Sequence, residues 1–257
     1  MKKILVLLLT LLPFAVSADS YKEIEVKNGG TIAGTVRLKG SPRIEQLKVA
    51  QDNARCGTTK TSPSLVVGKD NVVANAVISI EGISQGKQFP AEQPVIDQEK
   101  CEYNPHVTIV PLGSKFQIVN SDPILHNVHS YDMGKTDAVG RPDTIFNIAL
   151  PVAGMKRELP ADVPGIHMTL CDAGHPWMNA YVVVTQHPYY AVSDANGSFT
   201  IDNVPPGTYK IKMWHEGVPA LKDGKLDFNS DKPYELEKSV TVAVGAKENV
   251  DFEFSLR

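Results

Sequence analysis

The chain has 257 residues, 26 Lys and Arg against 29 Asp and Glu, and a net charge of −3. Its basic residues are scattered, which excludes a nucleic-acid partner, because phosphate binding needs a concentrated basic face. Nineteen Gly and 18 Pro at regular spacing, with no long helical periodicity, predict an all-β protein of many short strands.

The first segment, "MKKILVLLLTLLPFAVSA", joins two Lys to an apolar run and then small residues. It reads as a secretory signal peptide over residues 1–18, since the run is shorter than the ~20 residues a bilayer core demands. No later stretch is long and apolar enough to span a membrane. The expectation is an exported, periplasmic chain, with residues 19–93 as an N-terminal β region.

"GGTIAGTVRLKG" (29–40) alternates apolar and polar side chains between glycines, as a half-buried strand does. "IEQLKVAQDNA" follows and reads as a short helix. "NVVANAVISIEG" (71–82) predicts a second strand, and "VTIVPLG" (107–113) and "KFQIVNSD" (115–122) predict two more. Residues 132–148 read as a loop. "PVAGMKRELPADVPG" (151–165) alternates weakly. "IHMTLC" (166–171) and "NAYVVVTQ" (179–186) read as strands flanking "DAGHPWM".

After His187 the pattern changes. Asn196-Gly197 suits the positive φ of a tight turn, and Pro205-Pro206-Gly207 makes a rigid one. "TYKIKMWH", "SVTVAVG" and "NVDFEFSL" then alternate as strands. Residues 187–257 therefore read as a β-sandwich segment.

Three cysteines in an oxidising compartment leave one unpaired. Cys56 and Cys101 lie in polar, loop-like contexts and are expected to pair, closing a loop worth about 4 kcal/mol. Cys171 is then a free thiol, which is an oxidation hazard in an exported protein unless a metal holds it.

Asp194, Gly197, Phe199, Ile201, Val204 to Gly207 and Tyr209 follow a D-x-x-G-x-F-x-I-x-x-V-P-P-G-x-Y pattern. It resembles the carboxypeptidase regulatory-like (transthyretin-like) sandwich, whose opening strands are similar to "GTIAGTVRLKG" and "NAVISIEG". Two arrangements stay open. In one, residues ~29–82 and ~187–257 share a sandwich around an inserted domain; in the other, the parts follow in tandem.

Residues 94–186 resemble a cupredoxin, most closely the amicyanin branch. The resemblance rests on His126-Asn127-Val128-His129 and on Cys171…His175-Pro176-Trp177-Met178. The family's loop is one residue shorter between Cys and His, and Gly174 is placed to absorb the difference with an unusual φ. The resemblance implies a Greek-key β-sandwich holding one type 1 copper. Cys171 would give the thiolate, His126 and His175 the imidazoles, and Met178 a weak axial thioether. Asn127 would tether the two ligand loops, and Pro176 and Trp177 would form an apolar docking collar around an exposed edge of His175. His129 is expected to point away from the metal, because residues three apart on a strand face opposite sides. His106, His167, His187 and His215 read as surface or turn residues. The function implied is one-electron transfer, without enzyme activity, to a partner such as a periplasmic c-type cytochrome or a dehydrogenase. The alternative is a binding or scaffold protein whose metal site is vestigial or structural.

Overall fold

The computed structural model describes residues 21–136, 142–172, 174–223 and 225–257. The expected signal peptide lies outside them. The protein is all-β: nearly every element is a strand, and four sheets of four or five strands pack as two sandwiches. Among the described residues, no helix is long and apolar enough to cross a membrane.

The outer sandwich draws on both halves of the chain. Gly30–Lys39 pairs with Ser198–Val204 on one side and with Lys247–Asn249 and Phe252–Ser255 on the other. The facing sheet runs Tyr190–Val192, Val77–Glu81, Gly207–His215, Tyr234–Val242. Residues 187–257 therefore share both their sheets with earlier strands. The alternation read in Gly30–Lys39 is realised: its even-numbered positions from Gly30 to Leu38 are buried. Ile32, Val36 and Leu38 meet Ile78, Ile80, Phe199, Ile201 and Phe252 in one core. The predicted turn before Ser198 forms as well. Asp194 Oδ1 accepts the backbone N–H groups of Asn196 and Ser198, and Gly197 takes φ 67°.

The inner sandwich is built from the residues between. One sheet runs Met155–Pro160, Lys115–Asn120, Val95–Glu99, Glu102–Asn104; the other runs Pro142–Leu150, His126–Thr136, Gly165–Leu170, Asn179–Thr185, Val107–Pro111. Asn179–Thr185 is buried at every position, and its two faces serve different cores. Ala180, Val182 and Val184 enter the inner core, while Tyr181 and Val183 turn to the outer sandwich, with Val107, Met168, Val77 and Trp214. A strand covered on both faces reads as a continuous apolar run, which is why "YVVV" lacks alternation. Tyr181 and Trp214 meet edge to face with centroids 5.1 Å apart.

Two readings need correction. Residues 132–148 are not simply a loop: His126–Thr136 and Pro142–Leu150 form an antiparallel pair, with residues 137–141 outside the described set. Lys135, Thr136, Asp143, Thr144 and Asn147 are exposed on this hairpin, whereas Asp132 is buried. The segment read as a helix from "IEQLKVAQDNA" is strand Gln46–Lys48 followed by a single helical turn, Asn53–Cys56. Leu47 and Val49, two apart, are buried together, which is strand rather than helix spacing.

Candidate metal centre

Strands Gly165–Leu170 and Asn179–Thr185 are hairpin partners, with Leu170 opposite Asn179. The eight residues between them close on themselves. Cys171 N–H donates to Met178 O, His175 N–H to Cys171 O, and Met178 N–H to His175 O, at 3.1, 3.1 and 2.9 Å. Gly174 takes φ +128°, a conformation open to glycine alone. His126 opens the neighbouring strand of the same sheet, which pairs His129 with Leu170 and so ends beside the loop. Sheet pairing thus brings together residues 45 apart in sequence.

Cys171 Sγ lies 3.7 Å from His126 Nδ1 and 3.5 Å from His175 Nδ1, and the two Nδ1 atoms are 3.2 Å apart. All three side chains are buried. Met178 is buried in the same core and is tied to Cys171 and His175 through its backbone. Each imidazole is held from behind by a carboxylate. His126 Nε2 is 2.9 Å from Asp122 Oδ2, and His175 Nε2 is 2.9 Å from Asp52 Oδ2. The ring protons belong at those carboxylates, and both remaining Nδ1 atoms face one another. Both lone pairs are then available to one cation. Together with an adjacent sulfur, this donor set fits a soft or borderline metal ion.

The electrostatics agree. Burial pushes the Cys171 thiol up to about 12, against a weaker downward pull from the backbone N–H groups of Asn127 and His175. Without a metal the thiol is therefore protonated at neutral pH, and a metal must displace that proton. Burial also holds His126 below its ordinary range, outweighing Asp122, so the ring is neutral and able to ligate. Asp122 is itself fully buried. Desolvation raises it, but hydrogen bonds from His126, the Cys101 and Lys100 N–H groups, and Arg55 bring it net below the usual carboxylate range.

The other expected residues fall as follows. Asn127 Nδ2 donates to Asp172 Oδ1 at 2.6 Å and to Asn147 Oδ1 at 3.1 Å, joining the His126 strand to the cysteine loop. His129 stands apart from the group. It is 2.7 Å from Asp172 Oδ2 and 2.9 Å from Thr144 Oγ1, and it stacks on Tyr131. Cys56 and Cys101 form the disulfide. His106, His167 and His215 are buried rather than on the surface. His106 pairs with Glu216 and His215 Nδ1 with Glu216 O, where the two sandwiches meet.

The collar around His175 takes a different form from the one expected. Trp177 is only 4% exposed; its Nε1–H donates to Cys101 O at 3.2 Å, and its ring stands edge-on to His175. His175 is 1% exposed. The indole turns inward because a strap, residues 46–61, lies over this end of the sandwich. Gln46–Lys48 and Thr59–Thr61 pair as a short ribbon, and the turn between them carries Asp52, Arg55 and Cys56. Arg55 donates to Asp122 Oδ1 at 2.6 and 2.8 Å. Sequence reasoning missed the strap; its only signal was an Asp and an Arg within four residues of a cysteine bound for a distant partner.

No curated protein matches the sequence. Among solved structures, a purple cupredoxin from Nitrosopumilus maritimus is 24% identical over 36% of this chain and 100% of its own, with TM-score 0.30. Amicyanin from Paracoccus versutus is 20% identical over 38% of this chain and 86% of its own, TM-score 0.30. A copper-containing nitrite reductase from Thermus scotoductus is 18% identical over 38% of this chain and 24% of its own, TM-score 0.30. Residues 169–255 match the model of the carboxypeptidase regulatory-like domain, a span that takes in the last strand of the inner sandwich and all of the outer one that follows it.

Proposed function

We propose that the protein is an exported electron carrier whose inner sandwich would hold one type 1 copper ion through His126, Cys171, His175 and Met178. One arrangement carries this reading: a buried cysteine sulfur with two imidazole Nδ1 atoms within 3.7 Å, each ring fixed by a carboxylate on its far nitrogen. Copper would supply a one-electron couple there. The chain's own residues would hold three donors rigid, so that ligand positions need not change between the two oxidation states. The N–H groups of Asn127 and His175 would steady the thiolate, and the surrounding core would keep water out. The reading includes no substrate chemistry. Its redox partner would be a periplasmic redox protein such as a c-type cytochrome or a dehydrogenase, met in a small, transient encounter.

Titration of the metal-free protein with Cu(II) tests it. The expected result is intense absorption near ~600 nm, of the kind thiolate–copper ligation gives, with reversible one-electron reduction. Cys171→Ser should lose the colour and keep its circular dichroism. A protein that stays colourless with excess copper overturns the reading.

A further inference from the structure

The turn that carries Asp52 is built against its usual local use. Asp52 stands at the N-cap of the Asn53–Cys56 turn, where an Asp side chain ordinarily accepts a backbone N–H, yet it makes no such bond. It adopts φ 55°, ψ 31°, the left-handed region, and its carboxylate meets His175 Nε2 instead. Asp52 is 38% exposed and His175 1%, so one carboxylate is the outermost layer over this imidazole. The next residues latch the turn down. Arg55 bonds Asp122, which bonds His126, and Cys56 is cross-linked to Cys101. At Gly174 even a Cβ would lie 1.9 Å from Gln51 Nε2, so strap and ligand loop are in contact.

We propose that Asp52 is a positioning residue for the metal-facing imidazole of His175, and that the strap seals the edge of that ring from solvent. The inference rests on the copper reading for what the ring binds, and on geometry alone for the closure. The carboxylate accepts Nε2–H, which fixes the tautomer and aims the Nδ1 lone pair at Cys171 Sγ. The strap thereby adds a wall that the inner sandwich does not provide by itself.

The test uses the full-length protein with its disulfide intact. In the metal-free form, nitrogen-15 histidine spectra of wild type should show His175 as the single Nε2–H tautomer. Cys171 is the one free cysteine, and its reaction with 5,5′-dithiobis(2-nitrobenzoate) should be slow. Asp52→Ala should mix the tautomers and speed Cys171 labelling at least tenfold. Asp52→Asn, whose amide oxygen still accepts Nε2–H, should stay within threefold of wild type. Asp52→Ser, which introduces a hydroxyl able to cap the turn but is too short to reach the ring, should follow Asp52→Ala and secures the test should the alanine variant unfold. In the copper-loaded protein, extraction of Cu(I) by bathocuproine disulfonate should quicken at least tenfold in the Ala and Ser variants. If tautomer, labelling and extraction are all unchanged in both, the inference is overturned while the copper reading stands. If tautomer and labelling change as expected in a protein that binds no copper, the closure stands and the copper reading fails.

Discussion

Removing the Cys56–Cys101 disulfide in a Cys56→Ala/Cys101→Ala variant should cost about 4 kcal/mol. The bond closes a loop of 45 residues. Loop-closure entropy for that length, −2.1 − 1.5R ln n, is roughly −13 cal/mol/K, or about 4 kcal/mol at 25 °C. Both sulfurs are buried against Leu47, Val49, Tyr103 and Trp177, so truncation to alanine removes some packing as well. Against a total of about 5–15 kcal/mol the loss is severe, and about 2–4 °C per kcal/mol puts the midpoint roughly 8–16 °C lower. The closed loop runs from the strap through outer strand Val77–Glu81 to inner strand Val95–Glu99, so both sandwiches should weaken. The two tryptophans separate them. Trp177 lies in the loop between Leu170 and Asn179 and donates to Cys101, while Trp214 lies where the sandwiches meet. Urea unfolding of metal-free protein, followed by fluorescence in Trp177→Phe and Trp214→Phe backgrounds, reports each. A loss below about 1 kcal/mol at both probes would refute the loop-entropy reasoning.

Three further outcomes are expected. Gly34→Ala places a Cβ 2.1 Å from the backbone oxygen of Val250, where no side chain can yield, so it should destabilise by about 3 kcal/mol or prevent folding; urea midpoints decide. Asp231 is raised by desolvation but lowered more by hydrogen bonds from Tyr234, the Val218 N–H and Arg257. Its folded pKa lies below the unfolded one, so its stabilisation is present above about pH 4 and is lost as pH falls through the folded value; Asp231→Asn should flatten the fall of stability below about pH 4. Met178→Leu should keep copper and raise its reduction potential, because an axial donor is lost; an unchanged potential in voltammetry would remove Met178 from the ligand set.

The strand pattern was legible wherever one face is buried. Gly30–Lys39 and Ser198–Val204 alternate in sequence and alternate in burial. Asn179–Thr185 was readable as a strand through its β-branched run, but nothing local tells that its faces serve two cores. His126, Cys171 and His175 were legible because three metal-binding side chains fall in two short motifs, and sheet pairing brings the motifs together. Asp52 and Arg55 were not, since an exposed Asp and Arg near a turn look like ordinary solvated charges until tertiary contact gives each a buried partner. The burial of His106 was equally hidden: Glu216, its partner, is 110 residues away. The inward turn of Trp177 follows from the strap, and so was invisible for the same reason.

The two connections to the inner sandwich leave from strands that are themselves hydrogen-bonded, Val77–Glu81 and Tyr190–Val192, with Ile78 opposite Ala191. The inner body is thus joined to its host by two adjacent chain crossings and, through the strap, by the Cys56–Cys101 disulfide. Attachment at several points, with Trp214 packed between the two bodies, opposes swivelling more than a single linker would. During synthesis, Val77–Glu81 must wait for more than a hundred residues before its partner strands emerge, while every strand of the inner body is already complete.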